Sequence, residues 1–285
     1  MVFENDLFQT ISKMHSSHSR NTSWFQEHEI LFANLISNLH GSDKKNEFNF
    51  GEIGNISYPY FSMGDISSIS AFGLDELIIF SYLYKNRNKY KMVLDLGANI
   101  GMHTLVMKKL GFQVVSYEPD LLHIEQFKKI MRLNNLSDNN LVPKAISDKQ
   151  GTMRYVRVLG NTTGSHLLGS KKEPYGLTEI VEVEVDDILK VLNEFDFDYI
   201  KMDVEGHEAI LLNRITAQSI ATTDIMLEIG SKKNAKEIFT ILIDKKIPAY
   251  AQKINWGRVE KLEDLPNHHT HGSLFLSMQG PPNWN

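Results

Sequence analysis

Two short segments carry side chains whose types and spacing suit chemistry. The first is Val93-Leu-Asp95-Leu-Gly97-Ala-Asn99-Ile-Gly101-Met-His-Thr104, where an apolar run ends, the chain turns on glycines and a helix-length stretch begins. Small residues let a ligand approach the backbone, and the unpaired amides of a helix start suit a phosphate or the carboxylate of a bound amino acid. Glu118 closes the next apolar run, seventeen positions after Gly101. A carboxylate there accepts hydrogen bonds from both hydroxyls of a ribose, so the pair of features predicts a nucleoside-containing cofactor. A dinucleotide turn needs Gly-x-Gly-x-x-Gly, and here Asn99 and Met102 stand at the second and third glycine positions. Asp95 would place negative charge beside a cationic ligand, which suits the ammonium and sulfonium of S-adenosylmethionine better than NAD.

The second segment is Asp203-Val-Glu205-Gly-His207-Glu208, four ionisable side chains around a glycine after an apolar run. In an open parallel sheet this position faces the crevice where ligands bind. Methyl transfer is an in-line displacement in which the acceptor hydroxyl is held opposite the methyl group and loses its proton as the bond forms. A histidine or carboxylate can take that proton, and His207, with an ordinary pKa near ~6.5, is the preferred base. A plainer alternative makes Asp203 a helix cap, Glu205 and Glu208 complements of a helix dipole, and His207 a surface residue. A zinc helix of the His-Glu-x-x-His type is excluded because Leu211 occupies the second histidine position, and no metal is predicted.

The elements that must position these residues follow from the pattern of apolar residues. Lys91–Leu96, Gln113–Glu118, Leu141–Ile146, Phe197–Asp203 and Thr223–Glu228 read as strands, with helices over Leu121–Leu133 and between the other strands, so an α/β core with a mostly parallel sheet is predicted. Met153–Val158 and the strictly alternating Ile180–Val185 form a β excursion around the polar loop Asn161–His166, a candidate lid or acceptor-binding loop. Segments near Pro248–Ile254 and Ser273–Met278 are expected to close the sheet. Ahead of this core, Leu74–Lys85 is a helix, and residues 24–39 another, with Ser23-x-x-Gln26 as its capping box. Residues 1–60 read as an accessory helical segment and 61–285 as the catalytic domain. His15, His18, His28 and His40 match no ligand spacing and are assigned to solvated surface; His268, His269 and His271 are assigned there too, with the crevice as the alternative if the last strands fold back over the sheet.

Composition bounds the function. The chain has 285 residues, 42% hydrophobic and 23% charged, which is an ordinary globular balance. Its formal charge is −5, with no long basic block, which argues against binding nucleic acid through its phosphates. No cysteine is present, so disulfides, thiolate nucleophiles and Cys-held metals are excluded and a reducing compartment is permitted. The acidic start, Met1-Val-Phe-Glu-Asn-Asp6, lacks the pattern of an export signal, and Leu77–Tyr84 falls far short of the ~20 residues of a membrane span. A cytoplasmic setting is expected.

Taken together, the motifs resemble the FkbM family of S-adenosylmethionine-dependent methyltransferases: an Asp-x-Gly-Ala-Asn-x-Gly turn, a Glu-Pro after the next strand and an Asp-x-Glu-Gly-His after the fourth. The resemblance covers about residues 70–279, including Ala145–Asp148, Gly151, the Gly164-Ser165 loop and Glu228. It implies a class I methyltransferase (Rossmann-like) fold and O-methylation of a hydroxyl on a sugar, glycan or secondary metabolite. It carries cofactor roles onto Asp95, Gly97, Asn99, Gly101 and Glu118, and places Asp203, Glu205 and His207 next to the reacting centre. On that basis adenosine is assigned to Glu118 and the Ala145–Asp148 loop, and methionine to the turn from Gly97 to Thr104. The competing readings are a nicotinamide-dependent oxidoreductase and a non-catalytic binding protein on the same fold. Nucleic-acid amino-methylation ranks below these, since Asp-Val-Glu-Gly stands where an Asn/Asp-Pro-Pro-Tyr motif would be.

Overall fold

A computed structural model describes residues 6–42, 47–171 and 176–284. Helices α1 (Leu7–Lys13) and α2 (Ser23–Ser42), the antiparallel pair β1 (Glu47–Asn49) and β2 (Asn55–Ser57), and helix α3 (Leu74–Lys85) come first. Then β3 (Met92–Leu96), α4 (Met102–Lys109), β4 (Gln113–Tyr117), α5 (Leu121–Leu133) and β5 (Leu141–Val142) alternate. Strands β6 (Ala145–Ser147), β7 (Gly151–Val158), β8 (His166–Leu167) and β9 (Thr178–Asp187) form a separate sheet in the order β6-β9-β7-β8. The alternation resumes with α6 (Ile188–Glu194), β10 (Tyr199–Met202), α7 (Glu208–Arg214), β11 (Asp224–Glu228) and α8 (Lys232–Lys245), and ends with β12 (Ala249–Ala251), β13 (Gly257–Arg258) and β14 (Ser273–Leu276).

The main sheet runs β13-β12-β14-β11-β10-β3-β4-β5. Strands β11, β10, β3, β4 and β5 are parallel, and β14 is inserted antiparallel between β11 and β12. From β3 the chain winds outward through β4 and β5, then returns to β10 and winds the other way. The ends of β3 and β10 therefore flank a topological switch point, where the loops diverge and leave a crevice.

Strand periodicity explains why helices cover both faces. Neighbouring residues point to opposite sides, so Val93, Tyr199, Met226 and Phe275 enter one core while Leu94, Ile200, Ile225 and Leu274 enter the other. The first core also holds Leu77 and Phe80 of α3, Leu105 of α4 and Phe127 of α5; the second holds Leu211 of α7 and Ile238 of α8. Each fully buried leucine or isoleucine contributes roughly 1.5–3 kcal/mol relative to exposure. Asp120, Asp187 and Ser231 cap α5, α6 and α8 by accepting from backbone amides.

The structure revises several sequence expectations. The strand read as Leu141–Ile146 is two strands in different sheets, β5 and β6, because Pro143 lacks the amide needed to continue a ladder. At α2 the cap is Thr22, whose Oγ1 accepts from Phe25 N at 3.2 Å, while Gln26 turns its amide to Arg20 O. His18 is fully buried rather than solvated. Trp256 Nε1 can only donate, so its 3.0 Å bond to His18 Nδ1 fixes the tautomer, and His18 Nε2–H donates to Ile11 O at 2.9 Å. Ser19 adds bonds to Asn255 Oδ1 and Lys253 O, both 2.7 Å. Phe8, Ile11, Phe25, Phe50, Ile56 and Tyr58 belong to the same core as α3 and the sheet, so the first sixty residues share that core. Residues 1–5 and the side chains of Leu35, Ile36, Leu39 and His40 lie outside the described residues. Among the described residues no helix is long and apolar enough to cross a membrane.

Candidate active site

The glycine turn after β3 is built on left-handed backbone at Gly97 (φ 77°), Asn99 (φ 51°) and Gly101 (φ 93°). Asparagine tolerates that region better than most side chains, and Asn99 Oδ1 accepts from Ile100 N at 2.7 Å. Gly97 N and Ala98 N both donate to Tyr117 O at 3.0 Å, which ties the turn to the end of β4. A Cβ on Gly101 would lie 2.6 Å from the Phe127 ring, so this glycine lets α4 start against α5 and faces neither of the cavities described below.

Glu118 is 4% exposed and organises the loops around it. Its Oε2 accepts from Asn99 N and its Oε1 from Asp120 N, both at 2.8 Å. His123 Nδ1 stands 3.4 Å from Oε1, and His123 Nε2 is 2.9 Å from Thr162 Oγ1 in the loop after β7. Oε1 thus faces both Asp120 N and His123, while Oε2 has a second lone pair, so Glu118 keeps capacity for a further hydroxyl donor there.

Asp95 and Thr104, expected at the cofactor, sit behind the turn and line neither cavity. Both are fully buried, and Thr104 Oγ1 donates to Asp95 Oδ2 at 2.6 Å. Among the described residues Asp95 Oδ1 has no hydrogen-bond partner; Lys201 Nζ is 3.9 Å away. Lys201 is the charged residue of an otherwise apolar strand. Its Nζ donates to Gly97 O and to Asp203 Oδ2, each at 3.2 Å, bridging the ends of β3 and β10. Burial pulls the ammonium down, but the carboxylates of Asp203, Asp95 and Glu76 outweigh it and keep Lys201 protonated.

The turn after β10 places Glu205 (φ 54°) and Gly206 (φ 97°) in successive left-handed conformations. Glu208, 1% exposed, folds back to accept from Val204 N and Gly206 N at 3.1 Å and also pairs with Asn234. Burial pushes Glu205 up to about 7; Asp203 and Glu208 reinforce this, and its ion pair with Lys171 opposes it. A Cβ on Gly206 would meet Ser170 O at 2.9 Å, so the excursion loop lies directly on the turn.

His207 is 3% exposed, with Nε2 3.0 Å from Ser147 Oγ and Nδ1 2.9 Å from Ser170 Oγ. Burial pulls its pKa to about 4, so the ring is neutral, and one nitrogen donates while the other accepts. No nitrogen remains free for an acceptor hydroxyl. The geometry therefore opposes the sequence reading of His207 as the base, and makes it a brace between β6, the excursion loop and α7.

Two cavities meet at these turns. A narrow pocket of about 80 Å³ is lined by Tyr117, Glu118, His123, Ala145, Ile146 and Tyr155, among others. A wide cleft of about 880 Å³ is lined by Tyr58, Met63, Ile66, Glu76, Lys201 and Glu228, among others. Gly97, Asn99, Thr163, Asp203 and Glu205 line both. Ala145 lines the narrow pocket, whereas Asp148 is exposed, lines neither cavity and accepts from Ser147 Oγ at 3.1 Å. Among the described residues no group of His, Asp and Glu is placed to hold a metal ion.

Sequence reasoning missed His123, Lys201 and the cleft wall from Tyr58 to Ile66. A lysine inside the apolar run Tyr199–Met202 was a legible signal. The wall carried none, because it depends on where the segment before α3 packs.

The fold and this paired crevice define a class I methyltransferase architecture with a mostly parallel sheet. Residues 95–249, more than half of the chain, match the model described as the methyltransferase FkbM domain, and the chain belongs to that family. It is 21% identical over 163 residues to the hexuronic acid methyltransferase AglP of Haloferax volcanii, covering 56% of this chain and 65% of that protein. Among solved structures, the ribosomal protein L11 methylase of Lactobacillus delbrueckii subsp. bulgaricus aligns at TM-score 0.37 and 11% identity, covering 69% of this chain and 75% of the other. A SAM-dependent methyltransferase from Agrobacterium tumefaciens aligns at TM-score 0.37 and 10% identity, covering 71% and 61%.

Proposed function

We propose that this chain is an S-adenosylmethionine-dependent O-methyltransferase acting on a hydroxyl of a sugar or glycan. The observation that carries this reading is the wall shared by the two cavities. Glu118, with a lone pair of Oε2 to spare for a ribose hydroxyl, lines the narrow pocket, and the cleft beyond the shared wall has room for an acceptor. Ligand sites usually span ~300–1,000 Å³, so the narrow pocket is too small for a whole cofactor. On this reading its remainder lies along Gly97 and Asn99, where the two cavities join.

Bound there, S-adenosylmethionine supplies an electrophilic methyl carbon. The chain's own residues supply position. The amides of Gly97 and Ala98 hold the turn on Tyr117 O, Lys201 fixes Asp203 beside it, and the bond from His207 to Ser170 keeps the excursion loop over the junction. The carboxylates of Asp203 and Glu205, on the shared wall, are placed to orient an acceptor hydroxyl and to favour a nearby sulfonium. The hexuronic acid relative makes a uronic acid glycoside a natural first acceptor to try.

Titration calorimetry of the purified chain with S-adenosylhomocysteine and, separately, with NAD tests the cofactor. Tight binding of the first and none of the second is the expected result. NAD binding alone would replace this reading with a nicotinamide-dependent one.

A further inference from the structure

Five carboxylates line the wide cleft, and four of them are already engaged. Asp203 is held by Lys201, Glu205 by Lys171, Glu76 by His103, and Glu208 by two backbone amides and Asn234. The Glu228 carboxylate has no hydrogen-bond or ion-pair partner among the described residues. It ends β11, where Leu227 pairs with Met202 of β10 and Glu228 itself pairs with Ser273 of β14. That register puts Glu228 one strand from Asp203, and it lines the cleft without lining the narrow pocket.

We propose that Glu228 is the base that takes the proton from the acceptor hydroxyl. This rests on the methyltransferase reading above. A half-buried carboxylate with no protein partner, next to a region left open for the acceptor, is free to accept from that hydroxyl. In the transfer, the acceptor oxygen forms a bond to the methyl carbon as the sulfur–carbon bond breaks. The electron pair of that bond stays on sulfur, giving a neutral thioether, and the hydroxyl proton passes to a Glu228 oxygen and then to solvent. The charged groups lining the cleft with it are Asp203, Glu205 and Glu208 around the β10 turn, Glu76 from α3, Lys171, Lys201 from β10 and Lys233 at the start of α8, with His103, His268 and His269 as further titratable groups. Burial raises the proton affinity of Glu228, Asp203, Glu205 and Glu76 raise it further, and Lys201 opposes them. A base of higher proton affinity than an ordinary carboxylate is the better proton acceptor once ionised.

The test uses the whole chain, S-adenosylmethionine and p-nitrophenyl β-D-glucuronide, a probe that offers both ring hydroxyls and a carboxylate. Glu228→Gln is expected to bind S-adenosylhomocysteine within about twofold of the wild type and to slow ether formation by about a hundredfold or more. Glu228→Asp should recover part of the rate. Unchanged turnover in Glu228→Gln would overturn the assignment. So would a product that is an alkali-labile ester, because an ionised carboxylate acceptor needs no base. Failure of the wild type to bind S-adenosylhomocysteine would instead remove the methyltransferase reading itself. A second readout needs no turnover: in carbon-13 spectra of Glu-labelled protein, the resonance missing from Glu228→Gln should titrate above the ordinary carboxylate range and move when the probe is added. An ordinary titration that ignores the probe refutes the role.

Discussion

A methyl group on Gly97 would stand 1.8 Å from the carbonyl oxygen of Asp203. The turns that end β3 and β10 therefore touch backbone to backbone, and the cavities share a wall because no side chain separates them. Gly97→Ala combines this overlap with left-handed strain, so a loss of at least about 2 kcal/mol is expected in urea unfolding. S-adenosylhomocysteine affinity should fall with it. A variant of wild-type stability would show that the two turns separate readily.

Lys201 is the cation between Asp95 and Asp203 at this contact. Lys201→Met leaves Asp95 buried without a nearby positive charge, and breaking such pairs costs about 3–5 kcal/mol. The midpoint of chemical unfolding should fall accordingly. Lys201→Met together with Asp95→Asn should recover part of the loss, because the second change removes the stranded charge.

Acid should destabilise the fold through two histidines. Burial lowers both His18 and His207 from 6.5 to about 4, so between those values the unfolded chain binds protons that the folded chain does not. Their contribution is complete above about 6.5 and is lost as the pH falls towards 4. Unfolding free energy measured across this window should drop as pH is lowered. The His18→Asn, His207→Asn double variant should show a shallower slope.

The brace formed by His207 predicts a specific failure. His207→Ala should lower stability by about 1–3 kcal/mol as two serine hydroxyls lose their partner. It should weaken cofactor affinity through the displaced excursion loop, while the pH dependence of turnover keeps its shape. Loss of a titration limb near neutrality would restore His207 as the base.

Ile66 belongs to the cleft wall that precedes the family-matched region. Ile66→Ala should raise the acceptor KM and leave S-adenosylhomocysteine affinity unchanged, read by steady-state kinetics and calorimetry. Equal effects on both ligands would place Ile66 outside the acceptor's footprint.

Much of the frame was legible because local rules decide it. Apolar runs ending in Gly97 and Asp203, with Glu118 between, announce strand ends at one crevice whatever the loops do. The rest depends on partners remote in sequence. His207 is defined by Ser147 and Ser170, 60 and 37 positions away, and no local pattern signals such a pairing. The charge of Asp95 at a strand end and the place of Thr104 in the glycine turn point to ligand contacts, whereas the helix twist turns Thr104 back onto Asp95 and Ser116. Glu228 stood at a strand end in plain view. Its lack of a partner shows only once the other carboxylates have found theirs.

The bond between His18 and Trp256 joins positions 238 apart. During synthesis α1 can pack on α3 early, but the buried His18 ring and Ser19 lack their partners until the segment from Lys253 to Trp256 has left the ribosome. Closure of this domain is thus a late event, and nascent chains stalled before residue 256 should be chaperone-bound and protease-sensitive at their first helices.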